Sequence, residues 1–226
     1  MHPLENVIWT ALTTRQSHFA ESLGNASRFQ RQVTLLSGFN EPTSEAYNSL
    51  ATLTEPNGTT AVFLDSPYEP QPGWTWIAGA PLLQMICENV PSSNGAHHAI
   101  TELGPHDSPE MLELTTLTKP GPFGPRTHEL GTYLGIRQHG KLVAMAGERM
   151  KVPGYTEVSA VCTHPDHTGK GYAAILMSEV MRQIADRGET PMLHVRQDNT
   201  RAIAVYERLG FTKRKRLHFA VLRRSD

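Results

Sequence analysis

The sequence predicts a mixed α/β fold. Three observations predict it. Residues 130–223 alternate strand-like and helix-like runs in the order β-β-β-α-β-α-β-β. Two of these runs carry apolar stripes of helical period, one through Leu176, Met177, Val180 and Ile184, the other through Ala202, Val205, Tyr206 and Leu209. A glycine-rich turn, Thr168-Gly169-Lys170-Gly171, joins a strand to the first stripe.

Taken in order, Glu5–Leu23 places Trp9, Leu12, Gln16, Phe19, Ala20 and Leu23 on one face and stops at Gly24, which predicts an amphipathic helix. A second helix starts at Pro42 and runs through Ala46, Leu50 and Leu53. Thr60–Asp65 is a short apolar strand, and Ser66–Gly73, with three prolines, is a loop. Trp74–Ala78 reads as a strand, whereas Leu82–Glu88 fits helix or strand equally. Residues 89–109, rich in Pro, Ser, Gly and His, read as a linker. It holds His97, His98 and His106, but no Cys or paired carboxylate accompanies them at a ligand spacing, so no metal is expected. Lys119–Arg126, with three prolines and two glycines, reads as the joint between an N-terminal α/β region, 1–110, and a second domain, 111–226.

Beyond the joint, Leu130–Gln138 and Lys141–Arg149 are strands about a His139-Gly140 hairpin turn. Residues 155–163 form a third strand, which Pro165 ends because proline has no N–H to donate. A helix over 171–187 stops before Gly188, and Pro191–Arg196 is a fourth strand. Asn199 caps a helix ended by Gly210, and Phe211–Arg216 and Leu217–Arg223 are two closing strands.

Composition narrows the function classes. The net charge of −1 hides an asymmetry: residues 1–110 carry three Lys/Arg against eleven Asp/Glu, residues 111–226 eighteen against eleven. The basic half suits an anionic ligand, and the acidic half favours a cationic amine. Two cysteines are too few for a disulfide framework, which indicates a reducing compartment. The N-terminus lacks the basic and apolar regions of a signal peptide, and no apolar run approaches the ~20 residues that cross a bilayer. A soluble cytoplasmic protein with no membrane partner is expected. The basic run Lys213-Arg214-Lys215-Arg216 lacks interleaved aromatics and puts its charges on alternate strand faces, so no nucleic-acid partner is expected either.

The chemistry concentrates in residues 155–173. Gly169 and Gly171 let the chain turn with its amides unobstructed, Lys170 adds charge, and the following helix presents uncapped N–H groups. That is an anion site beside a strand end, although such a turn can also serve close packing alone. It is neither a Walker A loop nor the dinucleotide fingerprint. Glu157 is a carboxylate within a strand of small and branched residues, either functional or reaching solvent at an edge. Asn199 and Tyr206 read on their own as an N-cap and a core aromatic.

Two motifs together, Val-Cys-Thr-His-Pro-Asp-His-Thr-Gly-Lys-Gly-Tyr-Ala at 161–173 and Asn-Thr-Arg-Ala-Ile-Ala-Val-Tyr-Glu-Arg-Leu-Gly-Phe at 199–211, resemble the GNAT superfamily of acyl-CoA-dependent N-acyltransferases. The glycine N-acyltransferase-like subgroup is the one they bring closest. The resemblance covers residues 130–223 and implies a mixed, mainly antiparallel sheet flanked by helices. It implies acetyl-CoA as acyl donor, no metal, and a small-molecule or peptide amine as acceptor. It assigns coenzyme contacts to Val161, Cys162, Thr163, His167, Thr168, Gly169, Lys170, Gly171, Tyr172, Ala173 and Asn199. Thr168 departs from the Gln or Arg usual at its position, so backbone amides and Lys170 are expected to carry that contact. By the same resemblance Glu157 is the base, directly or through water, Tyr206 the acid for the leaving thiolate, and amides around Val161 and Thr163 the oxyanion donors. A non-catalytic acyl-CoA sensor would keep the glycine loop and need neither Glu157 nor Tyr206.

Overall fold

In the computed structural model, which describes residues 2–91 and 100–226, the first half of the chain folds as α1 (Val7–Thr13), β1 (Ala20–Leu23), β2 (Ala26–Phe29), β3 (Leu36–Phe39), α2 (Ser44–Leu53), β4 (Thr59–Leu64) and β5 (Trp74–Ile86). Next come β6 (Ile100–Leu103), α3 (Ser108–Thr118), β7 (Tyr133–Gln138), β8 (Lys141–Val152) and β9 (Tyr155–Thr163). The chain closes with α4 (Tyr172–Asp186), β10 (Thr190–Arg196), α5 (Thr200–Arg208) and β11 (Thr212–Arg224). The described strands form one sheet in the order β1-β2-β3-β4-β11-β5-β10-β9-β8-β7-β6. Its pairs are antiparallel except β3 with β4 and β9 with β10. A mixed, mainly antiparallel sheet with flanking helices is the fold expected.

Local chemistry sets many of the boundaries. His139 and Gly140 both take positive φ, 51° and 80°, which the tight β7–β8 turn requires. Thr43 caps α2 by accepting from the Ala46 N–H, so the helix starts at Ser44, two residues after the predicted Pro42. On one face of the sheet α4 packs Leu176, Met177, Val180 and Ile184 against Leu134, Val143 and Val195. On the other, α1 packs Val7, Ile8 and Ala11 with Leu36, Met150 and Met192.

Some expectations change. The helix expected over Glu5–Leu23 stops at Thr13, and Ala20–Leu23 pairs with β2 instead. The cause is tertiary: buried Gln16 donates to the Arg149 carbonyl and accepts from the Lys151 N–H, which pins the chain where the helix would have continued. Leu82–Glu88 resolves as strand through Ile86, continuous with Trp74. The two closing strands are one, β11, which hydrogen-bonds along β5 from Thr212↔Ile86 to Arg224↔Trp74 and absorbs two register shifts. Part of the expected linker is ordered as β6, antiparallel to β7. His106 is exposed in the turn after it, and His97 and His98 lie outside the described residues. The expected joint holds α3's C-cap, and Lys213, Arg214 and Lys215 are paired with Glu207, Glu5 and Asp65. Among the described residues no helix is long and apolar enough to cross a membrane.

The position of β5 has a testable consequence. It lies between β10 and β11 and buries Leu82, Leu83 and Met85 there. A fragment starting at residue 111 lacks it, so both neighbours acquire bare edges and exposed core. Light scattering is expected to show aggregation of that fragment; a monodisperse, fully active one would show residues 1–110 to be dispensable.

Candidate active site

Strands β9 and β10 pair only from Thr190↔Tyr155 to Met192↔Glu157. Beyond that point β10 stays with β5 as far as Arg196↔Leu82, while β9 stays with β8 to Ala144↔Thr163. The sheet therefore parts, and a wedge opens at the carboxyl ends of two parallel strands. A bulge shapes its β9 wall: Met145 faces Cys162 and Gly147 faces Ser159, so β9 carries one extra residue. Ala160 there sits at φ 52°, a conformation that costs a residue with a β-carbon about 1 kcal/mol or more. Bulges leave a residue off the ladder. The backbone next to Val161, where oxyanion donors are expected, is thus displaced from regular pairing.

A cleft of about 970 Å³ runs through the wedge. Val161, Cys162, Thr163, His167, Thr168, Gly169, Lys170, Gly171, Tyr172, Ala173, Asn199 and Tyr206 all line it. Gly169 and Gly171 hold φ of 81° and 78°, and a β-carbon on either would meet nothing within 4 Å. Gly171 is the N-cap of α4 and supplies no side-chain cap, so the first amides of a fifteen-residue helix are available to an anion. The Thr168 hydroxyl turns back to donate to the Pro165 carbonyl at 3.0 Å. Open space, uncapped amides and Lys170 fit a pyrophosphate without help from Thr168.

On the opposite wall Asn199 accepts from the Ala202 N–H at 3.1 Å, so it caps α5 while lining the cleft. Tyr206 packs on the core beside Phe211, and burial pushes its phenol up to about 12. Burial also pushes the Cys162 thiol up to about 11, against hydrogen bonds with Thr118 and Met145. At neutral pH that thiol is protonated and a poor nucleophile, which disfavours an acyl-cysteine route.

Glu157 stands at the crotch of the wedge, fully buried, and is absent from the cleft wall. Its Oε1 accepts from Arg149 Nη2 and His194 Nδ1, both at 2.7 Å. Its Oε2 accepts from Arg149 Nε at 2.8 Å and the Met150 N–H at 3.3 Å. Burial raises the carboxyl, but the Arg149 charge and the Arg149 and His194 hydrogen bonds outweigh it and hold the group at about 2. A carboxylate so occupied has no lone pair left for an amine and little affinity for its proton. The base assignment read from the sequence is corrected accordingly: Glu157 anchors Arg149 and His194.

That anchoring gives an expected stability result. Glu157→Gln leaves Arg149 without its counter-ion and should cost about 3 kcal/mol in urea unfolding at pH 7. The depressed folded-state pKa means the wild type holds this stability above the unfolded carboxyl pKa and loses it as pH falls from roughly 4.5 toward 2. The gap between the two proteins should close over that window; a constant gap would deny the ion pair its role.

The rest of the cleft comes from residues the motifs do not contain. Arg149 and His194 line it, as do Leu36 of β3, Phe63 of β4, Phe219 of β11 and the turn Thr118–Pro122. Phe63 lies 4.8 Å from His194 and 6.0 Å from Phe219, ring centre to ring centre. Their one signal in the sequence is Arg149 itself, beside Glu148 at the end of the predicted strand Lys141–Arg149 and eight residues before Glu157. The first 110 residues contribute Leu36, Phe63 and Leu82 to the cleft and none of their acidic side chains. The expected preference for a cationic amine is therefore corrected: the acidic charge of that half lies elsewhere.

Comparison with known proteins agrees with this geometry. Residues 133–220 match the family described as FR47-like protein. A crystal structure from Novosphingobium aromaticivorans, of a protein assigned as an acetyltransferase of the GNAT family, superposes with a TM-score of 0.93 at 38% identity, covering 100% of both chains. A GCN5-related N-acetyltransferase from Kribbella flavida shares the fold at 16% identity and TM-score 0.60, covering 98% of this chain and 94% of that one. A GCN5-related N-acetyltransferase-like protein from Streptococcus suis does so at 15% identity and TM-score 0.61, covering 96% and 92%. No curated protein matches. With a full-length relative at 38% identity and the wedge, bulge and glycine loop all in place, this chain belongs to the GNAT family of acetyltransferases.

Proposed function

We propose that the protein transfers an acyl group, acetyl by preference, from acyl-CoA to an amine by direct attack within a ternary complex. The observation that carries the reading is the single cleft through the parting of β9 and β10, with the glycine loop at one end and Arg149, His194 and Phe63 at the other. When bound, the coenzyme supplies a thioester carbonyl. The chain's amides at the start of α4 and Lys170 hold its pyrophosphate, Asn199 meets the pantetheine arm, and the amides near the Ala160 bulge face the developing oxyanion. The amine must lose a proton before it attacks, since an alkylammonium with pKa about 10 has no lone pair. Among the described residues no carboxylate lines the cleft, so that proton passes to water. The C–N bond then forms, the C–S bond breaks, and the Tyr206 hydroxyl protonates the departing thiolate; the N–H proton shed as the amide forms leaves through water and restores the Tyr206 hydroxyl. Residues 1–110 complete the acceptor wall, and the two free thiols suit a reducing, cytoplasmic compartment.

Acetyl-CoA is expected to raise the melting temperature through linkage, and an amine panel to release free thiol from it. Stabilisation without thiol release, for any amine, would favour a sensor.

A further inference from the structure

Arg149 keeps a function unassigned by acyl transfer alone. It is 7% exposed, yet it lines the cleft. Its Nε and Nη2 are committed to Glu157, and among the described residues Nη1 has no hydrogen-bond partner. The Thr118–Pro122 turn passes close by: a β-carbon on Gly121 would stand 4.0 Å from Nη1. Two N–H donors of a largely buried guanidinium thus remain open to the cleft at the acceptor end. Lys119 of the same turn also lines the cleft, and no Asp or Glu among the described residues does. The cleft also presents the apolar side chains Phe63, Phe219 and Leu36, and Phe63 lies 4.8 Å from His194, which shares Glu157 with Arg149.

Resting on the acyl-transfer reading, we propose that the acceptor is an amine bearing a carboxylate, held by Arg149 Nη1, with an apolar side chain against Phe63 and Phe219. The chemical class is an apolar amino acid. A guanidinium already fixed side-on by Glu157 is pre-organised, so little side-chain entropy is lost when it receives the second carboxylate. An ammonium-rich acceptor such as a polyamine would instead bring its second positive charge against Arg149 and Lys119.

The test compares L-phenylalanine with 2-phenylethylamine, which differs only in lacking the carboxylate, and with L-phenylalaninamide. Wild-type enzyme and acetyl-CoA are used, with rates expressed per unprotonated amine. A charge-assisted hydrogen bond predicts kcat/KM for phenylalanine roughly tenfold or more above both others. The substrate-like acid 3-phenylpropanoate, phenylalanine without its amine, should inhibit competitively against the amine, and 3-phenylpropanamide should not. In the double variant Arg149→Gln, Glu157→Gln neither ion is left alone, and the phenylalanine preference should fall to within roughly twofold. Equal use of phenylalanine and phenylethylamine by the wild type, or a preference that survives the double variant, overturns the carboxylate subsite and leaves acyl transfer standing. Absence of thiol release with every amine overturns both.

Discussion

Gly171→Glu is expected to lower coenzyme A affinity by roughly two orders of magnitude or more, in a protein that still folds. Two effects combine at this position. Gly171 occupies φ 78°, where a residue with a β-carbon pays about 1–2 kcal/mol. Its carboxylate would also stand at the N-terminus of α4, where the amides and the helix dipole are proposed to receive the pyrophosphate. A β-carbon at this position meets no atom within 4 Å, so the fold can accept the substitution. Gly140→Glu is the matched control: φ is 80°, the surroundings are equally open, and the residue lies in the β7–β8 turn outside the cleft wall. Both variants should lose similar stability, and calorimetry with coenzyme A should separate them. Equal affinity of Gly171→Glu and wild type would place the phosphates elsewhere.

The part of the site this variant probes is legible in the sequence because it is local. Thr168 to Ala173 are consecutive, and the glycines, the lysine and the helical stripe after them signal an anion site within one turn. The same holds for the His139-Gly140 hairpin and the α5 cap at Asn199. The acceptor end is legible only in three dimensions. Leu36, Phe63, Arg149, His194 and Phe219 belong to five strands far apart in sequence, and none has a neighbour that marks it. Glu157 shows the limit most clearly. A carboxylate at that strand position resembles a base, yet its chemistry is decided by Arg149 on β8 and His194 on β10, whose approach no local pattern reports. The N-terminal helix ends early for a related reason, since Gln16 is held by backbone atoms of Arg149 and Lys151 across the sheet. Residues 13–23 keep a helical apolar period, but the long-range contacts override it.

Tyr206→Phe should reduce turnover by roughly 10²-fold while leaving coenzyme affinity and melting temperature nearly unchanged. The ring is what packs, against the core beside Phe211, and the substitution keeps the ring. Only the hydroxyl disappears, and with it the proton proposed for the leaving thiolate. Burial holds that phenol at about 12, so it stays protonated across the range where the amine loses its own proton. The sign follows: an acid is active below its pKa, so wild-type turnover should climb with pH as the amine is freed and show no falling limb from Tyr206 until about 12. The donor provides the sharper discrimination. An acyl thioester with a more acidic thiol needs less protonation to leave, so the deficit of Tyr206→Phe should shrink with it. A merely structural tyrosine would give the same ratio of variant to wild type for both donors. Steady-state rates with the two donors across pH decide the matter, and a donor-independent deficit, or none, would return Tyr206 to the core.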